Sequence, residues 1–144
     1  MSYSVDVNIL LYASDQTSPR HAAAIKFIES RALDPELCCI AWTTLMSYLR
    51  ISTHPSIFAH PLSPPEALAN IEELMSWPRV RVLSEEDGFL KVYREVSRHF
   101  AVRGNLVPDA HLAAILQQHD VRTLYTTDMD FRKFKFLNVK DPLA

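Results

Sequence analysis

The sequence predicts an α/β fold with a mostly parallel central sheet flanked by helices, and three observations support this class. The 144 residues, 48% apolar and 22% charged, have the size and composition of one globular domain. Short apolar runs typical of strands alternate with longer segments of helical periodicity, as in βαβ units. No internal repeat or low-complexity segment divides the chain. We therefore expect a single domain over residues 1–144.

Five short runs are predicted to be strands, and they are residues 3–5, 37–41, 80–83, 121–126 and 136–139. In the second run, Cys38 and Cys39 are neighbours and would point to opposite faces of the sheet, which places them poorly for pairing with each other. Free, buried thiols fit a reducing compartment. We expect a cytoplasmic protein.

The helices are predicted from their start signals. Ser63-Pro64-Pro65-Glu66 matches a capping box, and the residues that follow have helical spacing. Four other starts are expected: Ser18-Pro19 for a helix to about Ala32 with Ala22, Ile25, Ile28 and Ala32 on one face; Thr43 or Thr44 for one through Arg50; Ser84 with Glu85-Glu86-Asp87 in the first turn; and Pro108-Asp109 for one to about His119.

Composition excludes several classes of function. Gly88 and Gly104 are the only glycines, so no glycine-rich phosphate loop can be written and no nucleotide cofactor is expected. A net charge of −2 gives no overall positive field for nucleic acid, so such a partner would have to be held locally. No signal peptide is recognisable, and the apolar runs are far too short to span a membrane, so no membrane partner is expected.

Four acids are predicted to meet at one edge of the sheet. Asp6 ends the first strand, Asp128 and Asp130 follow the fourth, and Asp109 lies at a helix start. Ligand sites of parallel α/β sheets lie outside the carboxyl ends of the strands. Two unit charges 4 Å apart repel by about 4 kcal/mol at an effective dielectric near 20, so a cation should accompany such a cluster. All-oxygen ligands favour Mg²⁺ or Mn²⁺, which suits hydrolysis of a nucleic-acid backbone.

Each acid also has a purely structural interpretation. Asp109 after a proline looks like a helix N-cap, and taken alone this is the favoured reading. Asp128 and Asp130 are typical turn formers. Asp6 is harder to explain structurally, because it interrupts an otherwise core-like apolar run, where an unpaired acid is costly.

These residues resemble the PIN-domain endoribonucleases, in particular the VapC-like toxins of type II toxin–antitoxin systems. The resemblance covers nearly the whole chain and depends on four segments: 5–13 (VDVNILLYA), 42–55, 105–114 (NLVPDAHLAA) and 126–131 (TTDMDF). It implies a parallel sheet in which Asp6, Asp109 and Asp128 bind Mg²⁺ or Mn²⁺ for RNA cleavage. Asp130 matches an additional acid, and Asn8 and Thr126 match polar residues that steady the site. A homodimer and a cognate antitoxin are also implied.

One departure from the family pattern concerns Ser47, which stands where the family often has a glutamate. A hydroxyl brings no charge, so a second metal ion would be held more weakly. The alternative function is therefore a catalytically weakened module that binds RNA or protein. A small-molecule phosphatase with Asp6 as nucleophile is a more distant alternative.

Cationic and aromatic residues supply candidates for RNA contacts. Arg50 and Arg103 are the favoured ones, because both are expected near the acidic edge. In the segment 131–136, the phenylalanines are more readily explained as core and the cations as solvated. His111 lies two residues after Asp109, and positions two apart do not share a helix face, so a surface or packing role is favoured for it.

Overall fold

The computed structural model describes all 144 residues and contains one five-stranded sheet with the strand order β3-β2-β1-β4-β5, in which every neighbouring pair is parallel. The strands are β1 Ser2–Val5, β2 Leu37–Ala41, β3 Val80–Leu83, β4 Thr123–Tyr125 and β5 Asn138–Lys140. The helices are α1 Val7–Ser14, α2 His21–Ala32, α3 Trp42–Ser52, α4 Pro64–Ser76, α5 Phe89–Ser97 and α6 Leu106–Gln118, and a 3₁₀ helix covers Met129–Lys133.

The predicted fold class is confirmed, and the register of the sheet has a direct consequence for the acids. Val5 of β1 pairs with Tyr125 of β4, and the backbone N–H of Asp6 donates to the carbonyl of Tyr125 at 2.9 Å. The residues that follow these two central strands, Asp6 and Thr126, are therefore neighbours at the carboxyl end of the sheet.

Two hydrophobic clusters pack against the sheet. One is built largely from α6 and the segment that contains the 3₁₀ helix, with α5 packed against it. The other contains residues of α1, α3 and α4, with the side chains of Phe27 and Ile28 from α2 packed against it. Cys38 and Cys39 are both buried and free, as expected. None of the six helices combines the length and the hydrophobicity that a membrane crossing requires.

The strand predictions for β2 and β3 match the structure at both ends, whereas β4 is shorter and β5 lies two residues later than expected at its start. The capping box of α4 is also confirmed: the Ser63 hydroxyl accepts from the Glu66 N–H at 3.2 Å, and the Glu66 side chain reaches back to the Ser63 N–H. Both predictions rested on local signals that act within a few residues.

The first two helices differ from the prediction. Helix α1 was not expected at all. It forms because Asp6 caps it, its side chain accepting from the N–H of Val7 at 2.7 Å. Helix α2 begins at His21 rather than Pro19, because the Ser18 hydroxyl accepts from the N–H of Arg20 and holds the preceding residues in a turn. Its buried residue is Ala24, and the predicted face was wrong for Ala22 and Ala32, which are exposed.

Three helix starts were also misplaced. Helix α3 begins directly after β2 at Trp42, and neither Thr43 nor Thr44 caps it. Helix α5 begins at Phe89, because the Gln118 side chain binds the backbone of Glu86 and Asp87 and keeps the acidic segment outside the helix. Helix α6 begins two residues before Pro108, which is tolerated there because the first turn needs no N–H from it.

Candidate active site at the carboxyl end of the sheet

Asp6 is the most buried of the four acids, with 9% of its surface exposed. One oxygen, Oδ1, accepts from the backbone N–H of Val7 at 2.7 Å, and Oδ2 accepts from the Thr126 hydroxyl at 2.8 Å. Burial raises the pKa of this carboxyl group; the two hydrogen bonds oppose that shift, and the charge of Asp128 adds to it. Asp6 is thus held in one orientation by partners that stabilise its charged form.

Thr126 links Asp6 to the segment that carries Asp128. Its side chain is fully buried, and its oxygen accepts from the backbone N–H of Asp128 at 2.9 Å while its O–H donates to Asp6. The amide nitrogen of Asn8 lies 3.4 Å from the same oxygen and donates to the Thr127 hydroxyl at 2.8 Å. The amide oxygen of Asn8 is buried and has no hydrogen-bond partner.

Asp128 and Asp130 lie at the start of the 3₁₀ helix. Asp128 is its N-cap, and its Oδ1 accepts from the backbone N–H of Asp130 at 3.0 Å. The turn-forming role considered for Asp128 is therefore real. Asp130 itself is exposed.

Asp109 lies in the first turn of α6 and is not its N-cap, which is Asn105. The structural interpretation that was favoured for Asp109 taken alone is therefore wrong. The pKa of its carboxyl group is raised to about 6, first by burial and then by the charges of Asp128, Asp6 and Asp130, with Lys133 acting in the opposite direction. Acids from three distant segments of the chain thus act on one another here.

A cavity of about 310 Å³ opens beside these acids. Asp6 and Asp109 line it together with Thr43, Thr44 and Ser47 of α3, and His111 of α6. Asp128, Asp130, Asn8 and Thr126 are not part of its lining. Neither are the RNA-contact candidates Arg50 and Arg103, which are both exposed. The rest of the lining consists of Val7, Val107, Pro108, Leu112 and Phe131.

The donor chemistry suits a divalent cation, but a complete coordination site is not formed. The carboxylates and the unpaired amide oxygen of Asn8 are the hard oxygen ligands that Mg²⁺ and Mn²⁺ prefer. No three acidic, histidine or cysteine side chains are, however, close enough to hold one ion together. The oxygen donors are of the chemical type that binds such a cation. Their side chains would have to move before three of them could bind one ion together.

Some residues of this region were not identified from the sequence. Thr127, which binds Asn8, and the cavity-lining Thr43 and Thr44 were considered only as caps or as neighbours in a motif. The spacing of Thr43, Thr44 and Ser47 on one helix face was the available signal. His111 lines the same cavity as Asp109. It also packs edge to face against the ring of Phe89, as the favoured packing role predicts, and a contact with substrate stays a prediction.

The segment 131–136 follows the structural interpretation. Phe131 and Phe134 are each 2% exposed and belong to the core, whereas Arg132, Lys133 and Lys135 are exposed. The Lys133 ammonium lies 5.9 Å from the ring centre of Phe100. Stacking of bases on these buried rings is therefore excluded in this arrangement.

A parallel five-stranded sheet of this order, with acids gathered at its carboxyl end, fits the PIN-domain fold that the sequence resemblance implied. No protein-family profile matches the chain. It is 41% identical to ribonuclease VapC48 of Mycobacterium tuberculosis over 144 residues, which cover 100% of this chain and 99% of the relative. The chain belongs to the VapC family of ribonucleases. Like its relatives, it is an endoribonuclease.

Solved structures agree on the fold. VapBC2 from Rickettsia felis, bound to a DNA fragment from its promoter, superposes with a TM-score of 0.70 at 16% identity and covers 97% of this chain and 98% of that chain. VapC20 of M. tuberculosis, described as a sarcin–ricin loop cleaving toxin, gives a TM-score of 0.67 at 17% identity, with coverage of 90% and 92%. At 16–17% identity, these similarities show that the chain has the same fold.

Proposed function

We propose that this protein is the toxin of a toxin–antitoxin pair and cleaves RNA with the help of Mg²⁺ or Mn²⁺ held by Asp6, Asp109, Asp128 and Asp130. The observation that carries the proposal is that Asp6 and Asp109, far apart in the sequence, line one cavity. The raised pKa of Asp109 agrees with this, because burial and the charges of Asp128, Asp6 and Asp130 cause it. A cluster that repels itself in this way is stabilised by a bound cation. In this proposal the four acids act only as ligands of the cation.

When bound, such a cation would neutralise charge on the phosphate and would lower the pKa of water, so that hydroxide is available to attack phosphorus. The chain's own residues prepare the ligands. The N–H of Val7 and the hydroxyl of Thr126 orient the two oxygens of Asp6. Thr126 also fixes the backbone of Asp128, and Asn8 steadies the loop through Thr127. Asp109 adds a carboxylate from α6 to the lining of the same cavity.

The substrate proposed is RNA, entering the cavity between α3 and α6. Arg50 and Arg103 remain candidates for contacts to the RNA backbone outside the cavity, since both are exposed and neither lines it. The positive charge of Lys133 acts on Asp109 and opposes the upward shift of its pKa. Local contacts of this kind are needed because the chain carries a net charge of −2.

The proposed partners are a cognate antitoxin and a second copy of this chain. The Rickettsia felis neighbour is a VapBC2 complex, which supports an antitoxin here. For the homodimer, Trp42 and Met46 are 42% and 50% exposed and lie four residues apart on α3, so they share one helix face. Exposed apolar side chains near one another on a surface favour an interface. We place the protein in the cytoplasm, where the free thiols of Cys38 and Cys39 are expected to persist.

The test is cleavage of RNA by purified protein with Mg²⁺ or Mn²⁺ and with EDTA. Asp6→Asn is expected to abolish cleavage and to keep the fold, because asparagine also caps helices well. Asp120→Asn, which removes an exposed carboxylate elsewhere, is the matched control and should cleave as wild type does. Wild-type cleavage that continues undiminished in EDTA, or in Asp6→Asn, contradicts the proposal.

A weakened RNA- or protein-binding module is the second candidate, and Ser47 is the observation that favours it. Ser47 lines the cavity and offers a hydroxyl where the family often has a carboxylate. If the protein is such a binding module, the wild type is expected to show no saturable Mn²⁺ binding near neutral pH. Ser47→Glu is the additional probe: cleavage that increases in this variant identifies a weakened enzyme.

A further inference from the structure

His111 is the one basic side chain among the residues that line the cavity beside Asp109. All other polar groups in the lining are carboxylates and hydroxyls, from Asp6, Asp109, Thr43, Thr44 and Ser47. The side chain of His111 is 36% exposed, so it is open to a ligand in the cavity without being free in solvent.

Two neighbours outside the cavity hold the imidazole in place. Its Nε2 lies 3.4 Å from Oε1 of Glu85, in the segment before α5. Its ring meets the ring of Phe89 edge to face, with centres 5.4 Å apart and planes at 71°. A long hydrogen bond and one aromatic contact fix the ring plane and leave Nδ1 without a partner in the chain.

The Glu85 contact favours one tautomer of the imidazole. An ionised carboxylate can only accept a hydrogen bond, so the Nε2 that faces it carries the hydrogen. In the neutral ring with this tautomer, Nδ1 is an acceptor. The ribose 2′-hydroxyl is a hydrogen-bond donor, and it is the group that distinguishes RNA from DNA.

We infer that His111 contacts the substrate and accepts a hydrogen bond from the 2′-hydroxyl of a nucleotide next to the cleaved bond, with Glu85 and Phe89 as positioning residues. The inference rests on the proposed function, since it takes RNA as the molecule that enters the cavity. It goes further in giving this site a means of selecting RNA over DNA.

The protein side of the test uses two replacements of one residue. His111→Phe keeps a ring against Phe89 and removes the acceptor, and we expect kcat/KM for RNA to fall about tenfold, the usual scale for a lost hydrogen bond to a ligand. His111→Asn places an amide near the position of Nδ1 and should restore part of the loss. The substrate is an RNA oligonucleotide spanning a bond that wild-type protein cleaves in total cellular RNA.

His119, a second histidine at the end of α6, serves as the matched control. It caps the end of the same helix, contacts the carbonyl of Ser84 at 2.8 Å and the carboxylate of Glu86 at 3.6 Å, and does not line the cavity. His119→Phe therefore removes a histidine of the same helix that does not line the cavity and does not contact Glu85. We expect kcat/KM for RNA to stay within about twofold of wild type, while His111→Phe reduces it.

The RNA side of the test replaces single nucleotides beside the cleaved bond by their 2′-deoxy forms. One such replacement should lower kcat/KM of wild-type protein about tenfold and have little effect on His111→Phe, because the two changes remove the same hydrogen bond. The measurement on wild-type protein stands even where a variant folds poorly.

Each outcome distinguishes the inference from the proposed function. A wild-type protein that cleaves no RNA contradicts the proposed function, and the inference falls with it. Wild-type cleavage with equal kcat/KM in His111→Phe, or equal losses in His119→Phe, contradicts the inference alone. So does a deoxy replacement whose effect is the same in wild type and in His111→Phe.

Discussion

At Asp109 the carboxyl group holds its proton more tightly than an ordinary aspartate does, because burial and three neighbouring acids disfavour its charge. The folded-state pKa of about 6 lies above the ordinary value of 3.8. Ionisation of Asp109 therefore destabilises the fold, and the penalty grows as pH rises from about 4 to about 6 and is fully present above that range. A fully exposed aspartate far from other charges would not change the free energy of unfolding in this way.

Replacement of Asp109 by asparagine should therefore stabilise the protein at high pH only. In EDTA at pH 7.5 we expect Asp109→Asn to melt at a higher temperature than wild type, since the repulsion is removed. Below pH 4 the carboxyl group is protonated in both states and the difference should vanish. Thermal unfolding at the two pH values measures this, and a difference that is the same at both contradicts it.

Thr126 is the second residue with a specific energetic role, because its hydroxyl serves Asp6 and the backbone of Asp128 together. Thr126→Val keeps the shape of the side chain and leaves both groups without a partner. We expect the free energy of unfolding to fall by about 1–3 kcal/mol in urea titrations, the usual cost of unsatisfied buried groups. Thr53→Val, which removes a hydroxyl bonded to the carbonyl of Leu49, is the comparison and should cost less. Equal losses contradict the role assigned to Thr126.

At the scale of elements, the predictions succeeded where a local signal decides the structure. Strands β2 and β3 are short runs rich in apolar residues that begin directly after Glu36 and Arg79, and α4 carries its capping box, so their bounds were predicted closely. Helix α1 was missed because its cap is Asp6, which also ends β1. The starts of α5 and α6 depend on Gln118 and on the turn before Leu106, contacts that sequence periodicity does not contain.

The same division applies to the site. Asp6 and Asp128 were expected together because they follow strands, and the pairing of β1 with β4 places them so. The distance between carboxylates was not predictable, since it depends on side-chain directions at the ends of three segments. For the same reason the sequence did not reveal that Arg50 and Arg103 lie outside the cavity lining while His111 lies in it.

The capping box of α4 gives a prediction at this scale. Ser63→Ala removes the acceptor for the Glu66 N–H and should lower the free energy of unfolding by about 1 kcal/mol, whereas Ser63→Gly should cost only a few tenths. Urea titration of the two variants measures the difference. Wild-type stability in Ser63→Ala, or an equal loss in both variants, contradicts the assigned role.

At the scale of the whole molecule, strand pairing and helix packing position the acids. The parallel pairing of the two central strands fixes Asp6 beside Thr126, and the packing of α6 against the sheet brings Asp109 to the same cavity. We treat residues 1–144 as one PIN-like domain on this basis. We expect such a scaffold to remain folded when the cation is removed, although the acids then repel one another.

The most direct measurement is calorimetric titration of the metal-free protein with Mn²⁺ at pH 7.5. The account predicts saturable binding by wild type that weakens as the pH falls below about 6, where Asp109 gains its proton, and that is lost in Asp109→Asn. Asp120→Asn should bind as wild type does. Saturable binding of equal strength in wild type and Asp109→Asn, or none in wild type, would contradict the account.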